Sequence, residues 1–104
     1  MLLTGSARTS ALASLPLWNA SLSGRDTLSR RIKFVDFSHA WAFMNRVALA
    51  AEKADHHPEW LNIYGTIDIT LSTHDAGDLG GVTLKDIDLA LKIDRYAKEG
   101  GALQ

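Results

Sequence analysis

Between residues 37 and 51 apolar side chains return every three to four positions, at Phe37, Trp41, Met44, Val47 or Ala48, and Ala51. That spacing predicts a helix over 37–56, with Asp36 or Ser38 as its cap. Ala42, Phe43, Leu49 and Ala50 lie off this stripe, so the apolar arc is wider than one core contact needs. A domain this small has little depth in which to sink a helix, and the second arc predicts self-association through 37–56.

Elsewhere the period is two. Residues 18–22 and 28–35 read as strands about a turn at Ser23-Gly24-Arg25-Asp26, with Ile32 and Phe34 on one face between Arg31 and Lys33. Residues 61–64 and 67–71 alternate again about Gly65-Thr66, which predicts a hairpin. A two-residue loop would set His57 opposite His74, and a three-residue loop would set His56 there. The second register is expected, because it puts Leu61 and Ile63 on the face of Ile67, Ile69 and Leu71. Thr83-Leu84-Lys85-Asp86 has the shape of a capping box, and the stripes Leu84, Ile87, Leu91 and Leu89, Ile93, Tyr96 predict a last helix stopped at Gly100-Gly101.

The order is strand, strand, helix, strand, strand, helix. It predicts an α+β fold: a four-stranded antiparallel sheet with two long helices, and a short N-terminal helix over 6–14, packed on one face. Residues 1–14 are read as a lead-in and 15–104 as a single domain. The first 25 residues lack an acidic side chain and are rich in Ser, Ala and Leu, a faint likeness to a transit peptide, but they carry only two arginines and run into the apolar Leu15–Trp18.

Composition removes several classes of function. The chain of 104 residues has no cysteine, which excludes disulfides, thiolate metal sites and thiol nucleophiles. Eleven Lys and Arg against 12 Asp and Glu leave no basic footprint for direct nucleic-acid binding. Charges interrupt every apolar run well short of the ~20 residues of a membrane span, so a soluble protein is expected. No glycine-rich loop has phosphate-binding spacing, and no serine sits in a nucleophile elbow.

What remains is imidazole chemistry at Glu52-Lys53-Ala54-Asp55-His56-His57-Pro58-Glu59-Trp60. Pro58 disfavours helical geometry at His57, while His56 is expected on the last helical turn, so the two rings can converge. A helix C-terminus favours cationic histidine, which suits a proton donor near neutrality. His74, at the end of the second hairpin strand, is brought close by either register, whereas His39 reads as a surface or core-satisfied residue. Zn²⁺ held by three histidines with Asp55 or Glu52 is the competing reading, weakened because His-His-Pro lacks the spacing that puts two ligands on one helical face.

Glu52, three residues, His56-His57-Pro58, Tyr64, His74 and Asp86, flanked by Gly24-Arg25-Asp26, Phe43-Met44-Asn45-Arg46-Val47-Ala48-Leu49 and Thr70-Leu71-Ser72-Thr73-His74, resemble pterin-4a-carbinolamine dehydratase. This family is also called dimerisation cofactor of a homeodomain transcription factor, and the likeness runs from Trp18 through Asp86. The loop 75–82 looks longer than in animal members, and the tail after Tyr96 differs.

The resemblance implies an antiparallel sheet with helices on one side, a dimer or tetramer built through the central helix, and dehydration of 4a-hydroxytetrahydropterin to quinonoid dihydropterin. It implies His56, His57 and His74 as the catalytic set and no metal or other cofactor. It further implies Glu52, Asp55, Ser72, Thr73 and Asp86 toward the pterin's polar edge, with Trp18 and Pro58 as apolar walls. Trp18 equally fits plain core, Asp55 a group orienting a histidine, and Asp86 a helix cap; Trp60 and Tyr64 read as sheet packing. A transcription-factor partner is the alternative role, and the location implied is cytoplasmic, or nuclear with such a partner.

Overall fold

The computed structural model describes residues 1–22 and 24–103; Ser23, in the first expected turn, and Gln104 lie outside the described residues. In chain order the elements are α1 (Gly5–Ala13), β1 (Asn19–Ser21), β2 (Thr27–Lys33), α2 (Phe37–Ala54), β3 (Glu59–Ile63), β4 (Thr66–Leu71) and α3 (Leu84–Glu99). The sheet order is β1-β2-β4-β3, antiparallel throughout, so each hairpin contributes one central and one edge strand. This is the α+β architecture that the alternating periods predict.

Alternation along β4 decides which face is covered. Ile67, Ile69 and Leu71 are fully buried, as are Leu28 and Ile32 opposite them on β2, and they meet Phe43 and Val47 of α2 and Leu89 and Ile93 of α3. Burying each Leu, Ile or Phe side chain contributes about 1.5–3 kcal/mol. Arg30 shares that inner face through its pairing with Ile69, and its charge is met by Asp94 of α3 at 2.6 Å.

Three expectations change. The buried stripe of α2 is Ala40, Phe43, Met44, Val47, Ala50 and Ala51, so Phe43 and Ala50, read as lying off the stripe, are core. Phe37 and Trp41, each 51% exposed, instead stack on one another outside the core, and Leu49 of the same helix is also exposed. Because an i, i+4 ladder fits either side of a helix this apolar, periodicity alone could not choose between them.

Second, the β3–β4 turn is Tyr64-Gly65, with Ile63 opposite Thr66 and Leu61 opposite Asp68. The expected three-residue loop is absent, and Leu61 and Ile63 face outward while Trp60 and Asn62 take the inner side. The turn is fixed from both sides. Asn62 Nδ2 donates to the carbonyls of Tyr64 and Thr66, each at 3.0 Å, and Gly65 lies so close to β2 that a Cβ there would stand 2.5 Å from the Phe34 carbonyl oxygen. Tyr64, at φ 51° and exposed, is a turn residue and does not pack on the sheet.

Third, α2 ends at Ala54, before His56. Asp55 adopts the left-handed conformation (φ 50°, ψ 43°), which Asp tolerates better than most residues, and the His56 amide donates back to the Ala51 carbonyl at 3.0 Å. The chain therefore turns one residue earlier than the proline rule suggests.

The N-terminal residues are tied to the domain. The Leu3 amide donates to the Val82 carbonyl at 2.9 Å, Arg8 pairs with Asp26 at 3.0 Å, and Asp26 Oδ2 accepts from the Val82 amide at 3.0 Å. Gly81 leaves room for this join: a Cβ there would come within 2.3 Å of the Leu2 side chain.

Candidate active site

Three elements end at one place. The left-handed Asp55 sends His56 and His57 off the C-terminus of α2. At the end of β4, Thr73 exchanges two backbone hydrogen bonds with Gly81, at 2.7 and 3.0 Å, closing the loop on which His74 and Asp75 stand. The capping box that opens α3 brings Thr83, Lys85 and Asp86. Together they form a cleft of about 350 Å³ lined by Asp55, His56, His57, Thr73, His74, Asp75 and Lys85.

Asp86 is the hub of the cleft wall and is fully buried. Its Oδ2 accepts from the Thr83 amide at 2.9 Å and from Thr73 Oγ1 at 2.8 Å, and its Oδ1 accepts from His56 Nε2 at 2.6 Å. Thr73 and Thr83 also join hydroxyls at 2.7 Å. A buried carboxylate needs several donors to offset its lost hydration, and here three are supplied. One residue thus serves both readings of the sequence, capping α3 and fixing His56 with its proton on Nε2.

Each histidine has a different carboxylate. His57 Nε2 donates to Glu52 Oε1 at 2.8 Å on the exposed side of the cleft. His74 Nε2 stands 3.9 Å from Glu59 Oε2, too far for a hydrogen bond. Glu59 is already held by Arg25, whose Nη1 and Nη2 donate to the two carboxylate oxygens at 3.0 and 2.6 Å. The Arg25 guanidinium holds the Glu59 carboxyl below its ordinary range chiefly through that hydrogen bond, which outweighs the opposing effect of burial, with smaller pulls from its charge and from His74.

The structure brings His56, His57, His74, Asp55 and Thr73 to the cleft, with Asp86 behind His56 and Glu52 beside His57. It places the others elsewhere. Ser72 is buried and donates to the Asp26 carbonyl at 2.9 Å. Trp18 sits in the core, its Nε1 donating to Asp94 Oδ1 at 2.7 Å. Pro58, between His57 and β3, is outside the lining residues. Sequence reasoning missed Lys85, Asp75 and the Arg25–Glu59 pair. Lys85 was in sight inside the capping box, whereas the pair spans 34 residues and has no local signal. Among the described residues no group of three or more His, Asp or Glu converges as a metal-ligand set, and no helix is long and apolar enough to cross a membrane.

Comparison with known proteins identifies the family. The family described as pterin 4 alpha carbinolamine dehydratase matches residues 1–96. A Bradyrhizobium sp. protein named "Putative pterin-4-alpha-carbinolamine dehydratase" is 56% identical over 95 residues, covering 91% of this chain and 92% of the relative. A Burkholderia lata protein of the same name is 53% identical, covering 89% and 87%. A crystal structure from Brucella melitensis, described as a transcriptional coactivator/pterin dehydratase, superposes with a TM-score of 0.85 at 45% identity, covering 93% of this chain and 99% of that one. With nearly its whole length matched and three of its four histidines gathered at one cleft, the chain belongs to the pterin-4-alpha-carbinolamine dehydratase family.

Proposed function

We propose that this protein catalyses the dehydration of a 4a-hydroxytetrahydropterin to the quinonoid dihydropterin by histidine acid–base catalysis. The observation that carries the proposal is the convergence of His56, His57 and His74 on one cleft, with His56 fixed to the buried Asp86. In this reaction the 4a-hydroxyl is protonated as the C4a–O bond breaks and water leaves. The proton on ring nitrogen N5 is lost, and its electron pair forms the C4a=N5 double bond. One acid and one base complete the balance, with no hydride and no net oxidation.

A general acid or base held within reach contributes roughly 10²–10⁴ in rate. The fixed Nε2–H of His56 and His57 leaves Nδ1 of each neutral ring as the proton acceptor. Asp55 offers an acceptor to the polar edge of the pterin, Thr73, whose hydroxyl already donates to Asp86, forms part of the binding wall, and Lys85 and Asp75 complete the rim. Glu52 and Asp86 act as orienting groups for His57 and His56 and Pro58 as an apolar neighbour of the cleft, while Trp18 and Ser72, held in the core and on the Asp26 carbonyl, support the domain. The test is the rate of carbinolamine dehydration by the full chain, with His57→Ala as the control.

A second part of the proposal concerns assembly in the cytoplasm. Stacked Phe37 and Trp41 with exposed Leu49 give α2 an outer apolar arc that a second copy would cover. The coactivator description of the Brucella protein supports an alternative occupant, a transcription-factor partner using the same arc. Light scattering of the purified chain separates these occupants, since self-association needs no partner.

A further inference from the structure

Of the three histidines only His74 has no hydrogen bond to its ring among the described residues. Its nearest carboxylate oxygen, Glu59 Oε2, is the one Arg25 grips at 2.6 Å. A free carboxylate 3.9 Å from an imidazole would close to a charge-assisted hydrogen bond by a small rotamer change, as Glu52 does with His57. Both Glu59 oxygens are instead committed to Arg25 in the two-pronged geometry that guanidinium and carboxylate favour.

We infer that Arg25 is a positioning residue for catalysis, acting through Glu59 by holding that carboxylate off His74 so that Nε2 of His74 stays free for proton transfer with the substrate. Arg25 precedes β2 and Glu59 opens β3, so the clamp joins the two ends of the sheet nearest the cleft. Asp55, His56, His57, Asp75 and Lys85, the other charged or titratable groups at the cleft, line it beside His74. None of them hydrogen-bonds the Glu59 carboxylate, and Arg25 is its one hydrogen-bond donor among the described residues. The kinetic arm of the test rests on the dehydratase reading; the spectroscopic arm does not.

The experiment compares Arg25→Ala, Glu59→Ala and the double variant in the full chain. Imidazole ¹⁵N spectra report the state of His74, and dehydratase kinetics report its use. In Arg25→Ala the released Glu59 hydrogen-bonds Nε2 of His74, giving a downfield, exchange-protected Nε2–H signal absent from wild type, and kcat falls roughly three- to tenfold with little change in KM. In the double variant the signal disappears and kcat returns to within about twofold of wild type. A double variant no better than Arg25→Ala overturns the inference, because loss of a merely structural pair would not be rescued by removing its second half. An unchanged His74 spectrum in Arg25→Ala overturns it even if wild type has no dehydratase activity, so failure of the clamp and failure of the proposed function are read separately.

Discussion

His56 Nε2 and Asp86 Oδ1 meet at 2.6 Å across 30 residues of sequence, joining the C-terminal end of α2 to the first turn of α3. The bond sets the wall of the cleft. Removing the carboxylate in Asp86→Ala leaves His56, Thr73 Oγ1 and the Thr83 amide without their shared acceptor, and a buried donor left unsatisfied costs about 1–3 kcal/mol. Urea denaturation is expected to show that loss. Asp86→Asn, which keeps an acceptor oxygen, is expected to lose less stability but to lower kcat, since the His56 ring is then less firmly held.

Thr83 supplies the other half of the capping box, its Oγ1 accepting from the Lys85 amide at 3.2 Å. Thr83→Ala is expected to destabilise by about 1–2 kcal/mol, and Thr83→Ser to recover most of it. Equal losses in both variants would mean that the methyl group, not the hydroxyl, does the stabilising.

Much of this frame was legible in the sequence because it is local. Thr83-x-x-Asp86, the alternation of β4 and the apolar ladder of α2 are each set within a dozen residues, where backbone period and capping chemistry leave few alternatives. The misread parts depended on distant chain. Whether Trp41 or Phe43 faces the core is decided by what the sheet presents to α2, and the Tyr64-Gly65 turn is chosen because β2 passes beside Gly65. The three-histidine set was readable from spacing, but its carboxylates differ in reach. Glu52 lies one turn back from His57, Asp86 was found through its cap, and Arg25–Glu59 has no signature short of the folded sheet.

Acid should weaken the protein through identifiable surface carboxylates. Asp68 lies below its ordinary value of 3.8 because Arg31 hydrogen-bonds and attracts it, Glu59 below 4.5 because of Arg25, and Asp36 below 3.8 chiefly through the His39 amide. A depressed folded value means that the stability these groups contribute is fully present above the unfolded value and is lost as pH falls through the folded one. Stability from these groups is therefore expected to be flat above about pH 5 and to decline below about pH 4. Denaturation midpoints measured from pH 7 to 3 check this, with a shallower acid slope in Asp68→Asn; an unchanged slope would remove the Arg31 pair from the account.

If the outer arc of α2 holds copies together, Trp41→Glu should reduce the mass found by light scattering to that of one chain. Because Trp41 is half exposed and lies outside the core, the stability of the single chain should change by no more than about 0.5 kcal/mol. A single-chain mass already in wild type would contradict self-association through α2.

Proton transfer by the clustered histidines is tested most directly by the rate at which the full chain dehydrates a 4a-hydroxytetrahydropterin beyond the spontaneous reaction, compared with folded His57→Ala and His74→Ala. Clear acceleration by wild type is expected, with a loss of roughly 10²-fold or more in each variant without loss of fold. A wild-type rate equal to the spontaneous one, or variants as fast as wild type, would contradict it.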